Sequence, residues 1–208
     1  MFDDVVFDEK GLVPCVAQDY ASGEVLTLAY ANEESLRLSV ETKELHFYSR
    51  SREEIWRKGE TSGNVLKLRQ LRYDCDGDAI VALVEPTGPA CHTGERSCFF
   101  RDLEGGSTPQ PLAHEALPTL ERTLLSRAAE RPEGSYTVEL LEDPELIGAK
   151  IEEEAEEVVR AGREESDERV AEEGADLLYH LSVLMASRGV PLAAALDVLN
   201  GRRRSGAG

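Results

Sequence analysis

Three cysteines and three aspartates crowd two short stretches of this chain. Tyr73-Asp74-Cys75-Asp76-Gly77-Asp78-Ala79 is followed by Pro89-Ala90-Cys91-His92-Thr93-Gly94-Glu95-Arg96-Ser97-Cys98. Cys75, Cys91 and Cys98 can supply three thiolates, and three thiolates without an evident fourth protein ligand leave one zinc position open for water. Water held there is acidified to a pKa of about 7, so hydroxide becomes available at neutral pH to attack an electron-poor carbon. His92, adjacent to one ligand, is the candidate to take or deliver the proton. Two plainer readings stand beside this one: ordinary buried thiols, or a structural zinc closed by His92, since the spacing is not a standard finger pattern. Cys15, alone in the apolar run Leu12-Val13-Pro14-Cys15-Val16-Ala17, reads as a core residue.

Asp74, Asp76 and Asp78 alternate along the chain, so an extended segment would place all three on one face and Cys75 on the other. Carboxylates so placed repel unless a hard cation sits among them, and oxygen donors favour Mg²⁺. A solvated Asp-Gly turn at Gly77 explains the same residues without a metal. Upstream, Ser49-Arg50-Ser51-Arg52 and Trp56-Arg57-Lys58-Gly59-Glu60-Thr61-Ser62-Gly63-Asn64 set basic side chains around a small-residue loop. Such a loop offers N–H groups to a phosphate, with Arg as a bidentate clamp, although a polar hairpin loop would look similar. Arg50, Arg52, Lys58, Thr61, Ser62 and Asn64 are therefore the candidate substrate contacts.

A second carboxylate pattern lies in Lys150-Ile151-Glu152-Glu153-Glu154-Ala155-Glu156-Glu157 and Glu173-Gly174-Ala175-Asp176-Leu177-Leu178-Tyr179-His180. Glu154 and Glu157 are three apart, as are Glu173 and Asp176, so each pair shares a helical face. Two such helices packed antiparallel would gather four carboxylates, too costly to desolvate without cations such as Mg²⁺ or Mn²⁺. A cluster of that kind suits triphosphate chemistry, orienting phosphates and activating water, with Lys150 as a further substrate contact. The plain alternative is an acidic solvated face: residues 150–176 hold 12 acids and 4 bases, and Glu152, Glu156, Glu164, Glu165 and Glu168 read that way. His180, one turn beyond Asp176, reads first as a cap of that helix face and second as a substrate contact.

These residues need two kinds of scaffold. The chain has 208 residues, 41 Asp+Glu against 23 Lys+Arg, and a formal charge of −18. That balance excludes nucleic-acid polymers and anionic membranes as partners, because both need a basic face. No apolar run reaches the roughly 18 residues of a membrane span, and the N-terminus lacks signal-peptide features, so a cytoplasmic protein with reduced thiols is expected. All four cysteines and ten of the twelve aromatics fall within residues 1–108. Leu103-Glu104-Gly105-Gly106-Ser107-Thr108-Pro109-Gln110-Pro111 reads as a linker. Two domains follow: 1–107, a linker over 108–116, and 117–208.

The first domain reads as mainly β (α+β). Strands are expected at Val13–Ala17, Val25–Ala31, Leu45–Tyr48, Val65–Tyr73 and Ala79–Glu85, and a helix at Asn32–Val40. The second reads as an all-α bundle, with helices at Leu117–Arg131, Ser135–Leu141, Glu145–Arg163, Asp167–Arg188 and Leu192–Arg203.

With those residues in place, Glu24–Asn32, Ser49–Arg52, Trp56–Asn64, Asp74–Asp78 and Ala90–Cys98 together resemble phosphoribosyl-AMP cyclohydrolase, the third-step enzyme of histidine biosynthesis, over about residues 10–102. The resemblance implies a homodimer, with zinc held by Cys75 of one subunit and Cys91 and Cys98 of the other, and Mg²⁺ at Asp74, Asp76 and Asp78. Leu120–Leu124, Gly134–Thr137, Lys150–Glu157 and Glu173–His180 are similar to phosphoribosyl-ATP pyrophosphatase, an all-α nucleotide pyrophosphatase, over about residues 117–204. That implies Glu154, Glu157, Glu173 and Asp176 as Mg²⁺ ligands. Ala31 stands where the first family commonly has Met, Glu152 where the second often has Gly, and Gly174 where Ala is usual. The two resemblances imply one bifunctional hydrolase. Its helical half would cut phosphoribosyl-ATP to phosphoribosyl-AMP and pyrophosphate, and its β half would open the adenine ring at N1–C6.

Two other function classes fit the residues alone: a zinc-stabilised β module joined to an acidic interaction bundle, and a bundle that hydrolyses other nucleoside triphosphates. The coordination position left open on the zinc distinguishes the first, and relative turnover of deoxynucleoside triphosphates the second.

Overall fold

A computed structural model describes residues 2–103 and 113–205. The chain separates into two compact units, Met1–Pro111 and Leu112–Gly208.

The first unit is built on a six-stranded sheet: β1 (Val13–Asp19), β2 (Val25–Ala31), β3 (His46–Ser49), β4 (Glu54–Arg57), β5 (Leu66–Tyr73) and β6 (Ile80–Pro86), in the order β4-β3-β2-β1-β6-β5. Neighbours are antiparallel except β1 and β6, which run parallel. β1 shows why it forms: Val13, Cys15, Ala17 and Asp19 are buried, while the alternating Pro14, Val16 and Gln18 are only partly covered. Leu26, Phe47, Leu66, Ile80 and Val84 join them in one core, against which Phe2, Val5 and Phe7 of the N-terminal segment also pack. Helix α1 (Glu33–Thr42) adds the buried Leu36. A reciprocal cap starts it: Asn32 Oδ1 accepts from the Ser35 N–H, and the Ser35 hydroxyl accepts from the Asn32 N–H, both at 2.9 Å, an arrangement typically worth about 1 kcal/mol.

The second unit is helical throughout: a 3₁₀ turn at Ala113–Glu115, then α2 (Ala116–Glu130), α3 (Tyr136–Glu142), α4 (Pro144–Glu164), α5 (Asp167–Ser187) and α6 (Leu192–Ser205). α4 starts on Asp143, whose carboxylate accepts from the N–H groups of Glu145 and Leu146, with Pro144 in the first turn. α5 starts on Ser166, which accepts from the Arg169 N–H. Leu124, Leu140, Ile147 and Val183 form the buried centre, while Val159, Leu178, Leu181, Leu196, Val198 and Leu199 are exposed. No single helix among the described residues is long and apolar enough to cross a membrane; only α5 and α6 together, bent by 107°, meet that test.

The structure adds to the reading from sequence in three segments. β4 was missed, because Glu54 and Arg57 flank only two apolar residues, yet the segment pairs with β3 through four registered positions. Of the two arrangements left open for residues 74–79, extended or turned, the structure has the turn: the chain reverses between β5 and β6 with Gly77 at φ 78°. Of the expected linker, 108–112 lies outside the described residues, and 113–116 is already helical.

Candidate active sites

The Asp turn closes on itself and on the N-terminal segment. The Asp74 N–H donates to the Ala79 carbonyl at 3.1 Å, and the Ala79 N–H donates to Asp74 Oδ1 at 3.2 Å. The Val6 N–H donates to the Gly77 carbonyl at 2.8 Å, and a side chain at position 77 would collide with the Asp4 carbonyl oxygen. The turn thus brings the three carboxylates together by a route other than strand alternation: oxygens of Asp74, Asp76 and Asp78 lie within 4.8 Å of one another, all exposed. Carboxylates this close repel one another, and the effect falls on Asp78. Asp78 is raised, first by the Asp76 charge and then by Asp74. Asp74 is lowered: partial desolvation pushes it up, but the Ala79 N–H and hydrogen bonds with Asp78 and Asp76 outweigh that. Cys75 is exposed on the same turn, its sulfur 3.9 Å from Asp76 Oδ1.

Cys91 and Cys98 are held near one another by a tight loop that follows β6. The Ala90 N–H donates to the Arg96 carbonyl and the Cys91 N–H to the Glu95 carbonyl, both at 3.0 Å, while the Cys98 N–H donates to the Leu26 carbonyl on β2 at 2.8 Å. The Thr93 hydroxyl reaches the Cys91 sulfur at 3.0 Å, and this bond is the first cause of the lowered Cys91 pKa. Cys98 is raised, first by partial burial and, among later causes, by the neighbouring Cys91. The Lys58 ammonium lowers both thiols. Cys75 does not join this pair within one chain: among the described residues, the groups of three potential ligands within 4.8 Å are the two carboxylate clusters. His92 is exposed, with Nδ1 3.9 Å from the Cys91 sulfur. Cys15 is a core thiol pushed up to about 12 by burial.

The basic loop divides into distinct roles. The Arg50 guanidinium lies over the Tyr30 ring, 3.8 Å from its centroid. Arg52 pairs with Glu54 at 3.1 Å. Thr61 and Ser62 are exposed. Asn64 is turned inward against Gly88, where even a methyl group would strike its side chain. It closes the loop onto the segment leading to Cys91.

In the helical unit the two-residue link Glu165-Ser166 returns the chain so that α4 and α5 pack together. Carboxylate oxygens of Glu154, Glu157 and Glu173 lie within 4.8 Å of one another, Glu154 and Glu173 being buried. Glu173 is raised, first by desolvation and then by Glu157 and Glu154, against the lowering effect of Arg169. Asp176 is exposed and falls outside this trio. Lys150 pairs with Glu153 at 2.6 Å, and Glu152 and Glu156 face solvent. Beside the trio, Nε2 of the buried His180 meets the Tyr136 hydroxyl at 3.2 Å and its Nδ1 meets the Asp176 carbonyl at 2.9 Å. The donor sets suit the metals expected of them: soft thiolates for zinc, carboxylate oxygens for a hard divalent cation.

Comparison with known proteins decides between the function classes. Residues 27–100 match the family model for phosphoribosyl-AMP cyclohydrolase, and residues 117–203 match that for phosphoribosyl-ATP pyrophosphohydrolase. The chain is 49% identical over 203 residues to the histidine biosynthesis bifunctional protein HisIE of Bacillus subtilis (strain 168), covering 96% of this chain and 95% of that one. Against the protein of the same name from Aquifex aeolicus (strain VF5) it is 44% identical over 195 residues, 93% and 95% of the two chains. The chain belongs to this bifunctional family of histidine biosynthesis.

It therefore carries two hydrolase activities, phosphoribosyl-AMP cyclohydrolase in the sheet unit and phosphoribosyl-ATP pyrophosphohydrolase in the helical unit. The first family match takes in the Asp turn, the Cys91–Cys98 loop and the basic loop, but not β1 or the N-terminal segment that packs on the turn. Sequence reasoning also passed over Arg96, which ion-pairs with Asp19 and Glu24, and Tyr136, quoted in a motif but given no role. Arg96 carried a signal, since it stands two residues from Cys98. The Tyr136–His180 contact links positions 44 apart, which no local pattern reveals.

Proposed function

We propose that the two activities run on two separate metal sites. Cys75, Cys91 and Cys98 are the zinc ligands of the cyclohydrolase, and Glu154, Glu157 and Glu173, with Asp176, the Mg²⁺ ligands of the pyrophosphohydrolase. Asp74, Asp76 and Asp78 hold a further Mg²⁺ beside the zinc. The observation that carries the zinc reading is the pairing of Cys91 with Cys98 near Lys58, while the third thiol stands exposed on another turn. A homodimer whose subunits exchange Cys75 completes such a site. Tyr73 and Phe99, exposed apolar side chains that neighbour Cys75 and Cys98 along the chain, support a covered face of this kind.

Zinc, when bound, supplies the acidity that makes water nucleophilic near neutral pH. The chain's own groups do the rest. His92, exposed beside Cys91, moves the proton as N1–C6 of the adenine ring opens. The Thr93 hydroxyl donates to the Cys91 sulfur and so favours its charged form. Arg50, Arg52, Lys58, Thr61 and Ser62 bind the phosphoribosyl groups of phosphoribosyl-AMP, and Asn64 keeps their loop closed. In the helical unit, Lys150 binds phosphates of phosphoribosyl-ATP, and Glu154, Glu157, Glu173 and Asp176 would hold a divalent cation that would supply positive charge to the phosphates.

The proposed domain limits are 1–107 and 117–208, and the proposed location is the cytoplasm. The test is to give the purified chain phosphoribosyl-ATP with Mg²⁺ and Zn²⁺ and follow phosphoribosyl-AMP and its ring-opened product over time. Sequential appearance of both is expected. Faster turnover of deoxynucleoside triphosphates than of phosphoribosyl-ATP would overturn the substrate assignment of the helical unit.

A further inference from the structure

Arg96 joins the Cys91–Cys98 loop to the far end of the central hairpin. Its Nε donates to Glu24 at 2.5 Å and its Nη2 donates to Asp19. Both acceptors sit at the base of the β1–β2 turn, which is closed by the Asp19 N–H to the Glu24 carbonyl and the Gly23 N–H to the Asp19 carbonyl. Asp19 is further fixed by the Ala21 N–H at 2.9 Å, and it is only 5% exposed. A buried carboxylate needs a partner, yet a buried ion pair is seldom more stabilising than apolar residues of the same volume. What the pair supplies that apolar residues do not is direction: a planar fork with donors at fixed angles, held by two fixed acceptors.

The main chain of Arg96 carries that direction to both cysteines. Its carbonyl accepts from Ala90, the residue before Cys91. One residue on, the Ser97 hydroxyl donates to the Val25 carbonyl at 2.7 Å, and then the Cys98 N–H donates to Leu26. Arg96 thus stands between the two limbs of the loop, tied sideways to the Cys91 limb and forward to Cys98. We propose that Arg96 is a positioning residue for zinc, setting the separation of the Cys91 and Cys98 sulfurs before the metal arrives. The inference rests on the reading that these two cysteines ligate zinc. Lysine cannot serve in its place, because a single ammonium on a flexible stem does not hold two carboxylates in one plane.

The test uses the full chain and measures zinc affinity by chelator competition, together with the thermal midpoint of the metal-free protein. Arg96→Lys is expected to bind zinc roughly 10–100-fold more weakly, the usual effect of losing a residue that orients a ligand. Its pyrophosphohydrolase rate should remain at the wild-type value. Glu24→Gln, which keeps the buried Asp19 pair, is expected to weaken zinc in the same direction by less, and it serves as the test if Arg96→Lys does not fold. A lowered midpoint with unchanged zinc affinity in a folded variant overturns the inference and makes Arg96 a residue of stability alone. If the wild-type chain binds no zinc, or if Cys91→Ser binds it as well as wild type, the zinc reading fails and the inference with it.

Discussion

Glu154 and His180 meet between α4 and α5, the imidazole Nδ1 lying 3.6 Å from a carboxylate oxygen with both side chains almost wholly buried. The other two members of the carboxylate trio lie against guanidinium groups: Arg160 is 3.0 Å from Glu157, and Arg169 ion-pairs with Glu173. The two guanidinium groups offset the repulsion that three carboxylates within 4.8 Å create. A divalent cation among the three oxygens would take over that work, so metal and basic side chains compete for the same charge.

Arg169→Met tests that competition. The variant leaves the largely buried Glu173 without its guanidinium, and the thermal midpoint of the helical unit is expected to fall by a few °C in chelator. Mg²⁺ should then raise the midpoint by more than it does in wild type, because stabilisation by a ligand grows with its affinity for the folded state. Equal Mg²⁺ shifts in the two proteins would separate Arg169 from the metal site.

The two activities should also come apart by substitution. Cys91→Ser is expected to lower ring opening by at least about 100-fold, since it replaces a proposed zinc ligand, while pyrophosphate release continues. Glu157→Gln is expected to do the reverse, with ring opening assayed on phosphoribosyl-AMP. Loss of both activities from either change, in a chain shown to be folded by circular dichroism, would refute a two-site enzyme.

Much of this arrangement was legible in the residues. Alternating burial in β1 and three- and four-residue spacing in α4 and α5 are local consequences of strand and helix geometry, so period alone locates them. The expected pairing of the cluster glutamates followed from the same helical spacing, but Asp176 did not join Glu173 in the trio. Spacing on one helix says which residues share a face, not how far that face is turned toward its neighbour. The Asp turn shows the opposite case, where the carboxylates do meet but by a turn and not by an extended strand. The ties of Arg96 to Asp19 and of Tyr136 to His180 span 77 and 44 positions, and only tertiary packing creates them.

Gly77→Ala probes the turn that carries the aspartates. The residue sits at φ 78°, and an added methyl would meet the Asp4 carbonyl. The positive φ alone costs roughly 1–2 kcal/mol for an L residue; the collision adds to it. The expected result is a clear fall in the midpoint of the sheet unit and, if the proposed site is right, weaker Mg²⁺ binding by the three aspartates. Removing residues 1–6 should relieve the collision but not the backbone cost, so Gly77→Ala should be less damaging in the shortened chain than in the full one. Equal damage in both would mean that the N-terminal segment does not press on the turn.

Glu165 provides a pH-dependent measure of how α4 and α5 are joined. Its carboxylate accepts from Arg160 at 3.1 Å and from Arg169 at 3.4 Å, and its pKa is lowered, first by the Arg160 hydrogen bond. A carboxylate whose pKa is lower in the folded chain contributes stability above its unfolded value of about 4.3 and loses that contribution as pH falls through the folded value. Glu165→Gln should therefore lower the thermal midpoint at pH 7, and the gap from wild type should close as the pH approaches 3. Because other carboxylates titrate alike in both proteins, the difference between them isolates this residue. Salt at 1 M should shrink the gap at pH 7, since the group is partly exposed and screened. A gap that is constant from pH 7 to pH 3 would assign the effect of the substitution to packing and not to charge.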